Sequence, residues 1–120
     1  MPDLKRNIVQ EKSYSFAIRI IKLSQYLMNE KKEYVLSKQL VKSGTSIGAN
    51  VEEAIGGISK KDFTLKMSIS YKEARETHYW LRLLHDTDFI PNKEFESLIS
   101  DCEELLKLLF TIINSSKTNN

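Results

Sequence analysis

Cysteine occurs once in this 120-residue chain, proline twice and glycine four times. The single thiol, Cys102, excludes an internal disulfide framework. A domain of this size does not need one, because it buries about two thirds of the surface that its unfolded chain exposes. After Pro2, every glycine and proline falls between Gly44 and Pro91, so long uninterrupted helices are allowed almost everywhere else. Long apolar runs are also missing. The longest, Leu105 to Ile113 (LLKLLFTII), is broken by Lys107 and falls far short of the roughly 20 residues of a membrane span. The opening Met-Pro-Asp-Leu-Lys contains no apolar run of the kind a signal peptide uses. These absences lead us to expect one domain in a reducing cytoplasm.

Charge, by contrast, is abundant, and the net +2 conceals an asymmetry. Residues 1–61 hold eleven Lys and Arg against six Asp and Glu, a net +5, whereas residues 62–120 hold seven against ten, a net −3. One half can attract the other, within a chain or between chains, and the basic half offers surface to a polyanion.

The apolar spacing is helical throughout. Phe16, Ile20, Leu23 and Leu27 lie on one face of a helix expected over about 12–29. Leu36, Leu40, Ile47, Val51 and Ala54 define a second over about 34–55, closed by Gly56-Gly57 as a left-handed cap. Ser59 and Asp62 resemble a capping box for a third over about 59–86, whose stripe Phe63, Met67, Ser70, Ala74, Thr77, Leu81, Leu84 keeps a bundle-like rhythm of four and three. Pro91 suits the start of a fourth over about 92–114, and the polar tail 115–120 is expected to fray. Short turns between such helices predict an all-α, up-down-up-down antiparallel four-helix bundle formed by the whole chain, 1–120, as a single domain.

The second helix carries SGTSIGANVEEAIGG, Ser43 to Gly57, although each helical glycine is unfavourable by about 0.5–1 kcal/mol relative to alanine. We expect compensation by close packing: a hairpin of helices two and three sets Gly44 opposite Ser70 to Ala74 and Gly48 opposite Met67, so that two backbones approach and gain dispersion contacts. A phosphate loop is excluded, since neither G-x-x-x-x-G-K-[ST] nor G-x-G-x-x-G is present.

Helix three has more apolar surface than one core requires. Leu65, Ile69, Trp80 and Leu83, with Glu73 and Glu76 between them, form a second edge that predicts an oligomer interface anchored by Trp80. A central position in the bundle is the alternative reading. No enzyme constellation emerges, and no catalytic residue, metal or cofactor is assigned. A di-iron carboxylate bundle needs Glu-x-x-His, yet Arg75 and Arg82 stand three residues before His78 and His85. The two histidines read as surface or interface groups, and Cys102 as a small core hydrophobe. Tyr26, Tyr71 and Tyr79 read as amphipathic fillers rather than base-stacking groups. The basic residues stand closest to a function. Arg19, Lys22, Lys31, Lys32, Lys38, Lys42, Lys60 and Lys61 are candidates for nucleic-acid contact, and Lys60 and Lys61 oppose the dipole of the helix they start.

The run VLSKQLVKSGTSIGANVEEA, with Ser59-Lys-Lys-Asp-Phe63 after it and then ISYKEARETHYWLRLL, resembles the four-helix-bundle proteins encoded within intervening sequences of bacterial 23S rRNA genes. Relatives of that family include accessory proteins of diversity-generating retroelements. The likeness covers about Tyr14 to Ile113. It implies an up-down bundle assembled into a ring of five subunits without enzymatic activity. For the retroelement relatives it further implies a basic surface that binds nucleic acid and a partner reverse transcriptase. Nothing in the sequence argues for a ribosome component. The expectation is therefore a cytoplasmic homo-oligomer with RNA or DNA as partner. A protein-only scaffold is the second class, and a small-ligand pocket in the bundle or ring interior the third.

Overall fold

The computed structural model describes residues 4–118, with side chains from 8 to 117. Four helices follow in order: α1 (Leu4–Asn29), α2 (Leu36–Ile55), α3 (Lys60–Asp86) and α4 (Asn92–Thr118), with no strand among the described residues. Their cross-helix contacts run in opposite directions along each adjoining pair. Ser24 meets Ser37, and the Gly44 and Gly48 backbone of α2 lies against Ile20 and Ser13 of α1. Thr77 meets Ser43 and Ser70 meets Ile47; Cys102 meets Ala74 and His85 meets Phe95. The bundle is therefore antiparallel throughout. It measures 47 × 21 × 20 Å, and the α1–α4 seam is its most sparsely packed side.

The core follows the sequence stripes. Phe16, Ile20, Leu40, Ile47, Met67, Leu81, Leu98 and Leu105 are buried at its centre. Embedded among them are hydroxyls that bond across helices. Ser70 Oγ donates to the Ile47 carbonyl at 2.8 Å, Ser24 Oγ to the Ser37 carbonyl at 3.2 Å, and Thr77 Oγ1 to Ser43 Oγ at 2.9 Å. No buried side-chain polar atom among the described residues lacks a partner.

Several boundaries differ from expectation. Helix α1 begins at Leu4, not near residue 12, because Val9 extends its buried stripe by two turns and Gln10 reaches Glu52 of α2 at 3.0 Å. Helix α2 begins at Leu36, since Glu33 folds back and its carboxylate accepts from the backbone N–H groups of Val35, Leu36 and Ser37 at 3.3, 3.0 and 2.8 Å. Lys32 makes that turn at a φ of 56°. Helix α4 continues to Thr118; Ser115 to Thr118 are helical rather than frayed, and Ser116 is buried against the Thr64 hydroxyl. Residues 119 and 120 of the tail lie outside the described residues.

The end of α2 is not the left-handed cap that its glycines suggested. Gly56 has a φ of −82° and no glycine has a positive φ. Gly57 sits in a tight place: a Cβ there would lie 3.0 Å from the Ala54 carbonyl and would displace Asp62 Oδ2, 2.6 Å away. The Ser59 cap forms as expected, its side chain accepting from the Asp62 N–H at 3.0 Å.

Candidate interaction surfaces

The close packing at Gly44 and Gly48 exists, against a different partner. A Cβ on Gly44 would lie 2.7 Å from Ile20 Cγ2, and one on Gly48 would lie 3.4 Å from the Ser13 carbonyl, so both glycines face α1 rather than α3. The helical step of 100° per residue explains the correction. Ser43 and Ile47 occupy the flank of α2 that meets Thr77 and Ser70, which puts Gly44 and Gly48 on the opposite flank. Ser70 thus belongs to the α2–α3 contact, whereas the Ala74 carbonyl accepts from Cys102 Sγ of α4 at 3.4 Å.

On the outer side of α3, Leu65 is 57% exposed, and Ile69 and Leu83 are half-buried without joining the core cluster. Trp80 packs one side against the core, sets an edge against Tyr79 with centroids 5.1 Å apart, and directs Nε1 toward Glu76 Oε2 at 3.4 Å. Glu73 is half-buried beside them. Desolvation raises its pKa, Glu76 adds to the rise, and Lys42 and Lys72 oppose it. The edge thus keeps an apolar strip and a partly dehydrated carboxylate at the surface of the single chain.

The eight candidate cations do not form one surface. Arg19 is strapped to α4, with Nη1 2.6 Å from Asp101 Oδ2 and Nη2 3.0 Å from Ser97 Oγ and 3.6 Å from Glu94 Oε1. This ties to α4 a guanidinium that was a candidate for nucleic-acid contact. Lys22 lines the same seam. Lys31 and Lys32 occupy the α1–α2 turn, and Lys38 and Lys42 follow in the first two turns of α2. Lys60 and Lys61 stand at the other end of α2, about 30 Å away at 1.5 Å per residue. A four-lysine group at one end is therefore the largest set brought together. Glu33 lies beside it with its carboxylate held at the α2 N-terminus, and Lys31 also adjoins Asp86 and Asp88.

An exposed apolar row on α1 escaped the sequence reading: Tyr14, Ile18 and Ile21, the first 68% exposed. Its spacing of four and three was visible, but the stronger core stripe on the same helix hid it. His78 sits between Arg82 and Glu103, and His85 stacks on Phe95 at 4.0 Å. The Cys102 thiol is buried and pushed up to about 12, chiefly by desolvation, so it is held as a thiol. Among the described residues no three His, Cys, Asp or Glu side chains gather as a metal site, and no helix is long and apolar enough to cross a membrane.

These features define a helical bundle whose distinctive chemistry lies on its outer faces. The model of the 23S rRNA-intervening sequence protein family matches residues 5–111, and the chain belongs to that family. It is similar to the crystal structure, at 1.70 Å resolution, of a protein with unknown function from the S23 ribosomal protein family of Bacteroides thetaiotaomicron. The two share 50% identity with a TM-score of 0.91, over 92% of this chain and 99% of that one. No curated protein matches the chain.

Proposed function

We propose that this protein is a non-enzymatic, self-assembling bundle, a ring of five copies, that serves in the cytoplasm as a nucleic-acid-binding accessory factor. The observation that carries assembly is the α3 edge, where Leu65, Ile69 and Leu83 remain outside the chain's own core beside Trp80 and the dehydrated Glu73. Apolar side chains flanking an aromatic anchor are the usual centre of a protein interface. The group Lys31, Lys32, Lys38 and Lys42 supports a polyanion partner, RNA or DNA, because repetition around a ring multiplies a modest local field. A partner protein such as a reverse transcriptase fits the same role. No cofactor enters this reading.

Light scattering coupled to size exclusion tests the assembly. The expected mass is about five times 13.9 kDa, and Leu65→Glu, at an exposed position, should lower it without unfolding the chain. A wild-type monomer at micromolar concentration would overturn the interface, and another stable multiple would overturn only the number five. Binding of RNA or DNA should weaken steeply with salt, with a flatter slope after Lys38→Gln and Lys42→Gln. A protein-only scaffold is the second reading. It is favoured by Arg19 being tied to α4 and by the separation of Lys60 and Lys61 from the other lysines.

A further inference from the structure

We propose that the outward face of α3, from Lys61 to Arg82, is a track for single-stranded nucleic acid. This rests on the nucleic-acid reading above and assigns the contact to side chains outside the lysine group at the α1–α2 turn. Positions 61, 68, 72, 75, 79 and 82 lie on the side of α3 opposite its buried stripe, next to the Leu65 edge assigned to assembly, and they read Lys, Ser, Lys, Arg, Tyr, Arg. No acid interrupts this row. Glu73 and Glu76 fall on the flank toward α2, where Glu73 feels Lys42 and also Lys72 at the margin of the row, and Asp86 lies one turn beyond Arg82 beside His85.

The cations on this row differ from three others in the molecule, and share the lack of an ion pair with Lys22, Lys31, Lys32, Lys38 and Lys42. Lys12, Arg19 and Lys66 each hold a carboxylate within 4 Å: Glu104 at 3.2 Å, Asp101 at 2.6 Å and Glu53 at 2.8 Å. Among the described residues, no ion pair engages Lys61, Lys72, Arg75 or Arg82. Arg82 is nevertheless held in place. Its Nε donates to His78 Nδ1 at 3.2 Å, so the other ring nitrogen, Nε2, carries the hydrogen and donates to Glu103 Oε2 at 3.2 Å. The brace uses Nε alone and leaves both Nη groups for a ligand, in the fork geometry that suits phosphate.

Tyr79 provides the base-stacking element. It is 47% exposed, braced by the Trp80 edge at 5.1 Å, with the Arg82 guanidinium 5.7 Å from its centroid. An aromatic ring beside a run of cations suits a single strand, whose unstacked bases can reach it; in a duplex the bases already stack on one another. From Lys72 to Arg82 the row extends about 15 Å along the helix axis, enough for several successive contacts.

Fluorescence anisotropy with labelled oligothymidylate and a matched duplex, at about 50 and 200 mM salt, tests the track on the full-length protein. Replacing Lys72 and Arg75 together by glutamine should reduce the log-log salt slope for the single strand by about 1.4, or about 0.7 for each lost phosphate contact. Tyr79→Leu should weaken single-strand binding by about five- to a hundredfold while leaving the slope unchanged. Thermal melts should stay at the wild-type midpoint, because these side chains are exposed. Wild-type binding by these variants, with loss in the Lys38→Gln/Lys42→Gln chain, overturns the track and leaves the broader nucleic-acid role standing. No binding by any chain at the lower salt removes both. Equal affinity for duplex, no effect of Tyr79→Leu, or displacement by polyglutamate at equal charge overturns the single-strand assignment.

Discussion

Gly44 and Gly48 occupy similar positions one turn apart on α2, yet alanine should act on them with opposite sign. In either place alanine lowers the entropy that the unfolded backbone loses, a gain of about 0.5–1 kcal/mol in a helix. At Gly48 the new Cβ meets Ser13 at 3.4 Å from its carbonyl oxygen and hydroxyl, ordinary contact, so the gain should survive almost whole. At Gly44 the Cβ would lie 2.7 Å from Ile20 Cγ2 and 3.0 Å from Cγ1. Ile20 is fully buried and β-branched, so it has no free end to swing aside. Overpacking of this kind costs about 1–3 kcal/mol, leaving Gly44→Ala a net loss of about 0.5–2 kcal/mol after the helix gain. Urea unfolding at one fixed protein concentration reads both changes as midpoint shifts in opposite directions. A double-mutant cycle isolates the cause: in an Ile20→Ala background the two closest atoms are gone and only Cβ, at 3.2 Å, remains, so Gly44→Ala should lose most of its penalty and move toward the effect of Gly48→Ala. Equal shifts for the two single variants, or a Gly44→Ala penalty that persists without Ile20, would refute the steric account.

Glu33→Ala should destabilise the chain by about 1–2 kcal/mol, because one carboxylate satisfies three N–H groups at the start of α2 and opposes its positive dipole end; an unchanged urea midpoint would show that water replaces it without loss. His85 should make stability depend on pH. Both ring nitrogens face oxygen, Asn92 Oδ1 at 2.6 Å and Asp86 Oδ1 at 3.2 Å, and the pKa is raised above 6.5 by the Asn92 hydrogen bond first, with Asp86 and Asp88 adding and desolvation opposing. A raised folded pKa means stabilisation that is complete below the unfolded value of about 6.5 and is lost as pH climbs through the folded one. The stability gap between wild type and His85→Gln, followed by urea unfolding from acid to mildly alkaline pH, should narrow as pH rises; a widening gap would contradict the assignment.

The four helices and most of their buried stripes were legible because each apolar side chain repeats at a period that only a helix satisfies. What pattern could not supply was the partner of each flank. Gly44 and Ser43 are neighbours in sequence, yet one faces α1 and the other α3, a distinction that depends on how far the bundle rotates each helix about its axis. Arg19 presents the same limit. Its sequence context is that of a solvated cation, and only the closeness of α4 reveals Asp101, 82 residues away, as its counterion. The start of α1 was missed for a different reason: the early stretch Leu4 to Lys12 is mostly polar, and its helicity depends on Val9 being covered by tertiary packing. The apolar α3 edge stood out in the sequence, whereas the cations on the back of the same helix did not, because Lys72, Arg75 and Arg82 are too widely spaced to form a charge run.

The hydroxyls that cross the core do more than satisfy themselves. Leucine and isoleucine stripes are nearly self-similar after one turn, so a helix sliding by about 5.4 Å could find almost equivalent apolar neighbours. The bonds from Ser70 to Ile47, Thr77 to Ser43 and Ser24 to Ser37 tolerate no such slide. Ser70 and Ser24 would lose their partners in a dry interior, at about 1–3 kcal/mol apiece, whereas Thr77 would keep the Glu73 carbonyl of its own helix at 2.8 Å and lose only Ser43. They act as the teeth of a vernier, fixing the longitudinal alignment of α2 against both neighbours, and with it the relative height of every feature carried on the outside of the bundle.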